Sequence, residues 1–454
     1  MQKITIIGGG ATGILLAVNL LKFAENLPLE INIVEKKSRF GVGVAYSTTS
    51  DFHLLNVTAG KMSAFPDDSK HLCEWLNKHS HNYSENDFVP RKIFGEYLSD
   101  VFLSAFENKS PNTTVNLFND EAVNINLGER FTEVKLNSGK IIESDKVVLA
   151  FGNFLPTHPN VSDLDFIKSD KYSQNPWDND FFQNLNPDDD VMLIGTGLTM
   201  VDAVLNLHNK QHRGKLIAVS RHGLLPATHK LGFSYSSFEN EILTETNLLK
   251  MLKLVRKHIA KAQNENSDWQ AVIDSLRPIT QILWQNLPKK EKRRFLRHLS
   301  HSWSVSRSRI PEQCAKVLET LKSVGQLEIH HGKIRKIIST DDKRFALVYG
   351  KKTINIDAII NCTGPQTNFE RLEIPLIKNL IRKGLIRCDS LSIGLDALPK
   401  GEIIDEFGKT NERLFTIGTA LRGILWETTA IPEIRYQAKE LALRFLQKTN
   451  SANI

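Results

Sequence analysis

The chain has 454 residues, of which 41% are hydrophobic and 24% charged, and its formal net charge is +7. This composition excludes an intrinsically disordered chain and predicts two or three globular domains. The modest positive charge argues against a nucleic-acid-binding protein and fits anionic small molecules at least as well. The four cysteines form no CxxC pair and have no metal-like spacing, so we expect free thiols, no metal site and a cytoplasmic location.

The first predicted elements are a β-branched strand, a glycine-rich turn and an apolar helix. Gly8, Gly10 and Gly13 form G-x-G-x-x-G, which permits a tight turn, a close backbone approach to a pyrophosphate and close helix packing. The next strand ends in Glu35, where a carboxylate would accept ribose hydroxyls. A purely structural turn with a solvated glutamate is the alternative. The predicted dinucleotide-binding residues are Gly8, Gly10, Ala11, Thr12, Gly13 and Glu35.

The apolar stretch 4–21 could also indicate a signal peptide or a membrane span. Its glycines stand at nucleotide-turn positions, and a strand follows almost at once. A buried strand, turn and helix explain all of these features, so we expect no membrane insertion.

Residues 114–152 resemble residues 326–364 in their order of short alternating strands, turn and closing apolar strand. The segments DKVVLAFG and DAIINCTG align without a gap and end at Gly152 and Gly364. A glycine turn precedes each segment, at Gly8 and at Gly195. This repeat predicts one plan used twice, consisting of a βαβ nucleotide site, a β-meander and a closing strand. Chance similarity between two β-meanders is the alternative.

The second glycine turn lies in VMLIGTGLTMVDAV. Gly195 and Gly197 keep the first two glycines, whereas Met200 at the third position predicts looser packing of the helix on its strand. The following strand ends in Ser220 and Arg221 rather than an acid, and an arginine there accommodates a 2′-phosphate. We therefore predict FAD in the first site and NADPH in the second; an ordinary exposed arginine is the alternative. The predicted residues are Gly195, Gly197, Leu198, Thr199, Ser220, Arg221 and, from the closing strands, Gly152 and Gly364.

Residues 236–324 have helical periodicity, and their second half is strongly basic with interleaved aromatic residues. Three interpretations stay open. The helices form a solvated face folded against the nucleotide domains, or a cap that supplies arginines to an anionic substrate or to NADPH phosphates, or, least favoured, a nucleic-acid-binding surface. Trp303, Arg307 and Arg309 are the residues of interest in this insertion.

Several motifs resemble the FAD/NAD(P)-binding oxidoreductases related to flavin-dependent N-hydroxylating monooxygenases, in the branch with FAD-dependent urate hydroxylase and aspartate N-monooxygenase. They include GGGATG, GVGVAYS, HLLNVTAGKMSAFP, FVPRKIFGEYL, LAFGNFLP, NPWD, IGTGLTMVD, SRHGLLP, NCTGP and IGTALRGILWETTAIPEIRYQA. The resemblance implies that the segment at Gly418 and Thr419 passes the FAD, although many flavoproteins have an aspartate where Thr419 stands. It also implies that the helix opening near Ile431 points its N-terminus at the flavin.

The resemblance implies a substrate pocket formed by the insertion and by segments 41–66 and 419–433. Asn56 is the predicted polar group over the flavin ring, with a turn-forming asparagine as the alternative. Arg422 and Trp426 complete the predicted catalytic set.

These observations predict an α/β fold with two Rossmann-like dinucleotide-binding domains, β-meanders and a helical insertion. The expected division is residues 1–160 and 369–454 for the FAD-binding domain, 161–235 and 325–368 for the NAD(P)H-binding domain, and 236–324 for the insertion. The expected function is an FAD-dependent, NADPH-using monooxygenase that hydroxylates a small nitrogen-containing substrate with molecular oxygen through a peroxyflavin. The alternatives are a flavin reductase or oxidase without oxygenation and a non-catalytic flavoprotein that senses redox state or docks a partner.

Overall fold

The computed structural model describes residues 1–340 and 344–450. Its strands form two large, mainly parallel sheets and two small antiparallel sheets. The strands are β1 (Gln2–Ile7), β2 (Leu29–Val34), β3 (Thr113–Phe118), β4 (Ala122–Leu127), β5 (Thr132–Leu136), β6 (Ile141–Ser144), β7 (Lys146–Leu149), β8 (Tyr172–Ser173), β9 (Val191–Ile194), β10 (Leu216–Ser220), β11 (Leu327–His331), β12 (Ile334–Ser339), β13 (Phe345–Tyr349), β14 (Lys352–Ile356), β15 (Ala358–Asn361), β16 (Glu402–Ile404) and β17 (Thr410–Thr416).

The α-helices of the described residues cover the sheets or form a separate bundle. They are α1 (Ala11–Phe23), α2 (Gly43–Tyr46), α3 (His71–Lys78), α4 (Arg91–Glu107), α5 (Asn179–Asn184), α6 (Leu198–Asn209), α7 (Glu239–Ile242), α8 (Leu248–Asn264), α9 (Trp269–Ser275), α10 (Thr280–Asn286), α11 (Lys289–His298), α12 (Ser300–Arg307), α13 (Glu312–Ser323), α14 (Pro375–Arg382), α15 (Arg422–Leu425) and α16 (Ile431–Asn450). None of these helices is long and apolar enough to cross a membrane.

The two large sheets, of six and five strands, share the order of four strands. The first is β16-β17-β7-β1-β2-β3, and the second is β11-β10-β9-β15-β8. Strand β1 of the first sheet therefore corresponds to β9 of the second, β2 to β10, β3 to β11 and β7 to β15. Each sheet also carries a three-stranded antiparallel meander, β4-β5-β6 in one case and β12-β13-β14 in the other. The predicted α/β fold with two Rossmann-like units is confirmed.

Two aspartates in the aligned closing segments occupy corresponding places. Asp145 Oδ2 accepts the backbone N–H of Lys3 at 2.6 Å, and Asp357 Oδ2 accepts that of Asp190 at 2.8 Å. In return, the N–H groups of Asp145 and Asp357 donate to the carbonyls of Lys3 and Asp190. Both pairs fix the register between a closing strand and the start of the central strand. The sequence repeat is thus also a repeat of hydrogen bonding.

Apolar residues on each strand account for the burial of the sheets. Strands β1 and β9 have runs of fully buried residues, as expected for parallel strands covered on both faces. Helices α1, α4 and α16 cover one face of the first sheet, while the meander β4-β5-β6 and α14 pack on the other. Helices α6 and α13 cover one face of the second sheet, and the meander β12-β13-β14 covers the opposite face.

Residues 236–324 hold helices α7 to α13, and most of them share a separate core. Phe238, Met251, Trp284 and Phe295 belong to this cluster, which also takes in Trp426 from the C-terminal part of the chain. Helix α13 differs, because its Cys314, Ala315, Leu318 and Leu321 pack into the core of the second sheet. The separate bundle therefore consists of α7 to α12.

Candidate nucleotide and substrate site

The first glycine turn joins β1 to α1 in a space that excludes side chains. Gly8 has a φ of +109°, and a Cβ there would lie 2.4 Å from the carbonyl oxygen of Ala150. A Cβ at Gly13 would lie 1.9 Å from the carbonyl oxygen of Gly8. Both positions therefore require glycine. Gly10 is the N-cap of helix α1 and provides no side-chain cap, and the first turn of the helix has no acidic residue, so its N-terminus is suited to an anion.

Glu35 lies beside this turn at the end of β2. Its Oε2 accepts the N–H of Gly9 at 2.9 Å, and its Oε1 accepts the N–H of Lys37 at 3.0 Å. The carboxylate is therefore held by backbone donors at the edge where a ribose reader is predicted. Ala11 and Thr12, also predicted to bind the nucleotide, form the first turn of α1.

The C-terminal part of the chain completes the first site. A Cβ on Gly418 would lie 3.0 Å from Thr12 Cγ2, and Thr419 Oγ1 lies 2.9 Å from the carbonyl oxygen of Phe151 and 3.1 Å from that of Gly152. The structure thus brings together Thr12, Gly152, Gly418 and Thr419. Ile431 is buried at the start of α16, which packs along α1.

Two side chains that sequence analysis did not single out fix the backbone at Gly418. Gln437 Oε1 accepts the N–H of Gly418 at 2.9 Å, and Thr428 Oγ1 donates to its carbonyl oxygen at 3.0 Å. Gln437 Nε2 also donates to Thr428 Oγ1 at 2.6 Å. Because Gln437 is on α16, this network ties the start of that helix to the first glycine turn.

The second glycine turn has the same construction. Gly195 has a φ of +120°, and its Cβ would lie 2.4 Å from the carbonyl oxygen of Cys362, which corresponds to the contact between Gly8 and Ala150. Gly197 is exposed, and a Cβ placed on it would have no heavy atom within 4 Å. Gly197 is the N-cap of helix α6, which has neither a side-chain cap nor an acidic residue in its first turn. Leu198 and Thr199 form that turn, whereas Met200 is fully buried in the core beside it.

Ser220 and Arg221 follow β10 at the predicted position of the ribose reader. Ser220 Oγ accepts hydrogen bonds from Thr196 Oγ1 and from the N–H of Gly223, both at 2.9 Å. Arg221 is exposed and makes no ion pair with another described residue. Gly364 follows β15 with no heavy atom within 4 Å of a Cβ placed on it. These residues surround the same end of the second sheet.

The segments that leave the two closing strands pair with each other. Phe154, beyond β7, and Gln366, beyond β15, form an antiparallel bridge, with the N–H of Gln366 donating to the carbonyl of Leu155 at 3.3 Å. Asn361 Nδ2 also donates to the carbonyl of Thr157 at 2.8 Å. The carboxyl ends of both sheets, where ligands bind in open α/β folds, are therefore next to each other.

A buried ion pair connects the two nucleotide units, which are the first and the second large sheet, each with its glycine turn and covering helices. Arg91 at the start of α4 donates from Nη1 and Nη2 to both carboxylate oxygens of Asp202 on α6, at 2.8 and 3.2 Å. His53 lies against the backbone of the same aspartate, with its Nε2 3.2 Å from the carbonyl oxygen of Asp202. Burial lowers the pKa of His53, against the opposing effect of Asp202. Both partners stand in motifs that the sequence analysis quoted, but no local pattern indicates that they pair.

Asn56 lies in the segment that contacts the second unit. Its carbonyl accepts a hydrogen bond from His229 Nε2 at 2.9 Å, while its side-chain amide has no hydrogen-bond partner among the described residues. Burial is the main reason that the pKa of His229 falls from 6.5 to about 4. The imidazole is therefore neutral and donates its Nε2 proton to Asn56. No hydrogen bond or ring contact within the described residues joins Asn56 to Arg422 or Trp426.

Arg422 and Trp426 lie together on the segment that follows Gly418. The Arg422 guanidinium stands 5.0 Å from the Trp426 ring centre, and no carboxylate of the described residues pairs with it. Burial lowers the pKa of this guanidinium. Trp426 stacks on Trp284 of the insertion at 4.9 Å between ring centres. The structure therefore places both residues between the first nucleotide unit and the helical bundle.

The bundle is attached to this segment by polar contacts. Glu427 accepts from Trp303 Nε1 at 3.0 Å and from Arg307 Nε and Nη2 at 3.1 and 3.0 Å. Trp284 Nε1 donates to the carbonyl of Gly423 at 2.8 Å. Arg309 is instead buried and pairs with Asp274 at 2.9 Å, within the bundle. Of the three residues of interest in the insertion, Trp303 and Arg307 thus face the C-terminal segment.

Comparisons with known proteins agree with this architecture. Residues 5–154 match the FAD-NAD(P)-binding family model, and they form an FAD/NAD(P)-binding domain. Over 114 residues the chain is 33% identical to the uncharacterised protein YdhS of Escherichia coli (strain K12), in a match that spans 23% of this chain and 21% of that protein's length.

Solved structures share the fold across nearly the whole chain. An ornithine N-hydroxylase of Kutzneria sp. 744, solved with reduced FAD, NADP+ and L-ornithine, has a TM-score of 0.65 at 12% identity, covering 99% of this chain and 100% of that one. The bacillithiol disulfide reductase of Bacillus cereus has a TM-score of 0.55 at 16% identity, covering 98% and 100%. These similarities show that the fold is shared by monooxygenases and reductases.

Proposed function

We propose that this chain is an FAD-dependent, NADPH-using monooxygenase that hydroxylates a small nitrogen-containing substrate. The observation that carries the proposal is the pairing of the two closing-strand segments at Phe154 and Gln366. It brings two glycine-initiated helices, each free of side-chain caps, to the same cleft. This arrangement suits two dinucleotides that exchange a hydride.

The residues of the first site fit FAD. The N-terminus of α1 would receive the pyrophosphate, and Glu35 would accept the ribose hydroxyls. Gly152 offers open space, with no heavy atom within 4 Å of a Cβ placed on it, and Thr419, which follows Gly418, lies beside it. Bound FAD would supply hydride acceptance and the activation of molecular oxygen.

The residues of the second site fit NADPH. Gly197 leaves room for the pyrophosphate at the start of α6, and the guanidinium of Arg221, which has no ion-pair partner among the described residues, would bind the 2′-phosphate. We accordingly propose that residues 1–160 and 369–454 form the FAD-binding domain, residues 161–235 and 325–368 the NAD(P)H-binding domain, and residues 236–324 the insertion.

The chain's own residues between the units would hold the substrate. Arg422 offers a largely buried guanidinium with no carboxylate partner among the described residues, so it would bind an anionic group on the substrate. The side-chain amide of Asn56 would orient a polar atom, and the stacked rings of Trp426 and Trp284 would exclude water from the cleft. The similarity to an ornithine N-hydroxylase fold favours an amine or amino acid as the nitrogen-containing substrate.

A reductase without oxygenation is the second candidate, favoured by the similarity to bacillithiol disulfide reductase. Such an enzyme would pass electrons from NADPH through FAD to another acceptor. All four cysteines are free thiols, and Cys314 and Cys362 are buried, so a dithiol reaction of the protein itself is not supported.

The test is visible absorption of the purified protein under anaerobic conditions, before and after NADPH or NADH. We expect a yellow protein that NADPH bleaches faster than NADH. A protein that cannot be loaded with FAD would contradict the proposal. If FAD is bound but NADPH does not reduce it even in the presence of candidate amines, the chain would instead be a non-catalytic flavoprotein. The products of aerobic turnover then distinguish a monooxygenase from an oxidase, since a monooxygenase adds one oxygen atom to an amine whereas an oxidase yields only peroxide.

Two alanine variants, one in each site, serve as controls for each other. Neither added methyl group would contact a heavy atom of the protein within 4 Å. Gly197→Ala should slow reduction by NADPH by about tenfold, which corresponds to about 1.4 kcal/mol, and leave FAD content unchanged. Gly152→Ala should reduce FAD content instead. If Gly197→Ala changed FAD content and left reduction unaffected, the assignment of the two sites would be wrong.

A further inference from the structure

Three side chains that can carry positive charge meet beside the second nucleotide turn. Arg221 and His222 follow β10 directly, and His301 comes from α12 of the insertion. The His222 and His301 rings lie 4.8 Å apart between centres at an interplanar angle of 34°. A side chain from the helical bundle thus reaches the loop that is predicted to read the adenosine ribose.

The cluster lacks a negative partner. Among the described residues no carboxylate forms an ion pair with Arg221, His222 or His301, and the buried Nε2 of His301 has no hydrogen-bond partner. Burial lowers the pKa of His301, and the charges of His222 and Arg221 act in the same direction. A buried ring nitrogen without a partner is unfavourable, and Arg221 and His222 beside it offer further N–H groups that can donate to an anion.

Backbone hydrogen bonds fix His301 in this place. The N–H of Ala227 donates to the carbonyl of Val305 at 3.4 Å, and Ile310 and Ala227 are joined by a further bond of 2.9 Å. The N–H of His229 also donates to the carbonyl of Ile310 at 2.9 Å. The end of α12 and the chain beyond it therefore run alongside the loop after β10, which holds the helix that carries His301 next to that loop.

We propose that His301 and His222, together with Arg221, bind the 2′-phosphate of NADPH, so that the helical insertion contributes directly to nucleotide selectivity. This inference rests on the proposed use of NADPH and goes beyond it by assigning selectivity to a residue of the insertion. Imidazole N–H groups and a guanidinium are suitable donors to a phosphate dianion. NADH has a hydroxyl in place of that phosphate and would gain little from the cluster.

The test is the binding of adenosine 2′,5′-bisphosphate and of adenosine 5′-monophosphate to the purified protein, measured by titration calorimetry. We expect the bisphosphate to bind at least about tenfold more tightly. His301→Gln and His222→Gln should each weaken binding of the bisphosphate by about three- to tenfold and leave binding of the monophosphate unchanged. His298→Gln is the matched control, because His298 is an exposed histidine at the end of α11.

The outcomes distinguish this inference from the proposed function. If the bisphosphate is preferred but both histidine variants bind it like the wild type, the inference is wrong and NADPH use stands. If wild-type protein does not distinguish the two ligands, NADPH use and the inference both fail. If one variant binds neither ligand but keeps the wild-type midpoint of thermal unfolding, the substitution affects binding in general. This result would also overturn the inference.

Discussion

Trp426 has a backbone conformation that is rare outside glycine, with φ +60° and ψ −77°. Such a conformation costs on the order of 1–3 kcal/mol and persists only where surrounding contacts enforce it. Here the enforcing contacts are the stack on Trp284 and the edge-to-face contact with Phe295 at 5.0 Å. These contacts therefore hold the Trp426 ring, with the guanidinium of Arg422 beside it, in one place between the first nucleotide unit and the bundle.

His229 makes folding stability depend on pH. Its pKa falls from 6.5 to about 4 in the folded protein, so the unfolded chain binds the proton more readily as the pH drops. The stability contribution is present above about pH 6.5 and is lost progressively toward pH 4. Between pH 7.5 and 5.5 we expect the free energy of unfolding of wild type to fall by about 1 kcal/mol more than that of His229→Gln. Urea unfolding at both pH values measures this difference.

His298→Gln, at an exposed position, should show the same pH dependence as wild type and serves as the control. Equal slopes for wild type and His229→Gln would mean that His229 is protonated without penalty. The hydrogen bond to Asn56 would then not require the neutral ring.

At the scale of residues, sequence analysis identified the glycines of the two turns. Glycines at turns are recognisable because a tight turn and a close backbone approach exclude side chains. Gln437 and Thr428, which fix the Gly418 backbone, were not predicted, since no short-range spacing connects a helix interior with a distant loop. The contact between the His222 and His301 rings also depends on long-range packing.

At the scale of elements, the attachment of the bundle depends on Glu427. Its carboxylate binds Arg307 through two nitrogens and also accepts from Trp303. Glu427→Gln removes a half-buried charge from this arrangement and should lower stability by about 1–3 kcal/mol. We expect faster amide hydrogen exchange in α10 and α12 and little change in α1, measured by mass spectrometry.

Glu312→Gln is the control for this variant, because Glu312 pairs with Lys316 on an exposed surface of α13. It should leave hydrogen exchange in the bundle unchanged. Equal protection of α10 and α12 in wild type and Glu427→Gln would show that apolar packing alone attaches the bundle.

The repeat of elements could be predicted because strand, turn and helix have short-range signals that recur in the same order. Asp145 and Asp357 mark the same step in both halves, and their backbone contacts agree. The side on which α13 packs could not be predicted in the same way. Its Leu318 and Leu321 form an apolar stripe, and such a stripe does not specify which of two neighbouring cores will receive it.

At the scale of the whole molecule, the relative placement of the nucleotide units depends on Arg91 and Asp202. The pair is bidentate and mostly buried, with 15% and 7% of the respective side chains exposed. Asp202→Asn leaves a buried guanidinium without a charge partner and should cost about 3–5 kcal/mol in unfolding free energy. Reduction of bound FAD by NADPH should slow even where binding of adenosine 2′,5′-bisphosphate is retained.

Asp188→Asn is the matched control, because Asp188 pairs with Arg213 at 2.6 Å on an exposed surface of the second unit. It should change neither stability nor the rate of reduction appreciably. An unaltered reduction rate in Asp202→Asn would mean that the crossing segments at Phe154 and Gln366 suffice to align the units.

The strand order of the first sheet has a consequence for synthesis on the ribosome. Strand β7 (Lys146–Leu149) lies between β1 (Gln2–Ile7) and β17 (Thr410–Thr416). Until β17 has left the exit tunnel, one side of β7 offers unpaired N–H and C=O groups, which can pair with other chains. The second sheet has its strands between residues 172 and 361 and can close earlier. The first sheet is therefore the one that stays incomplete longer during synthesis.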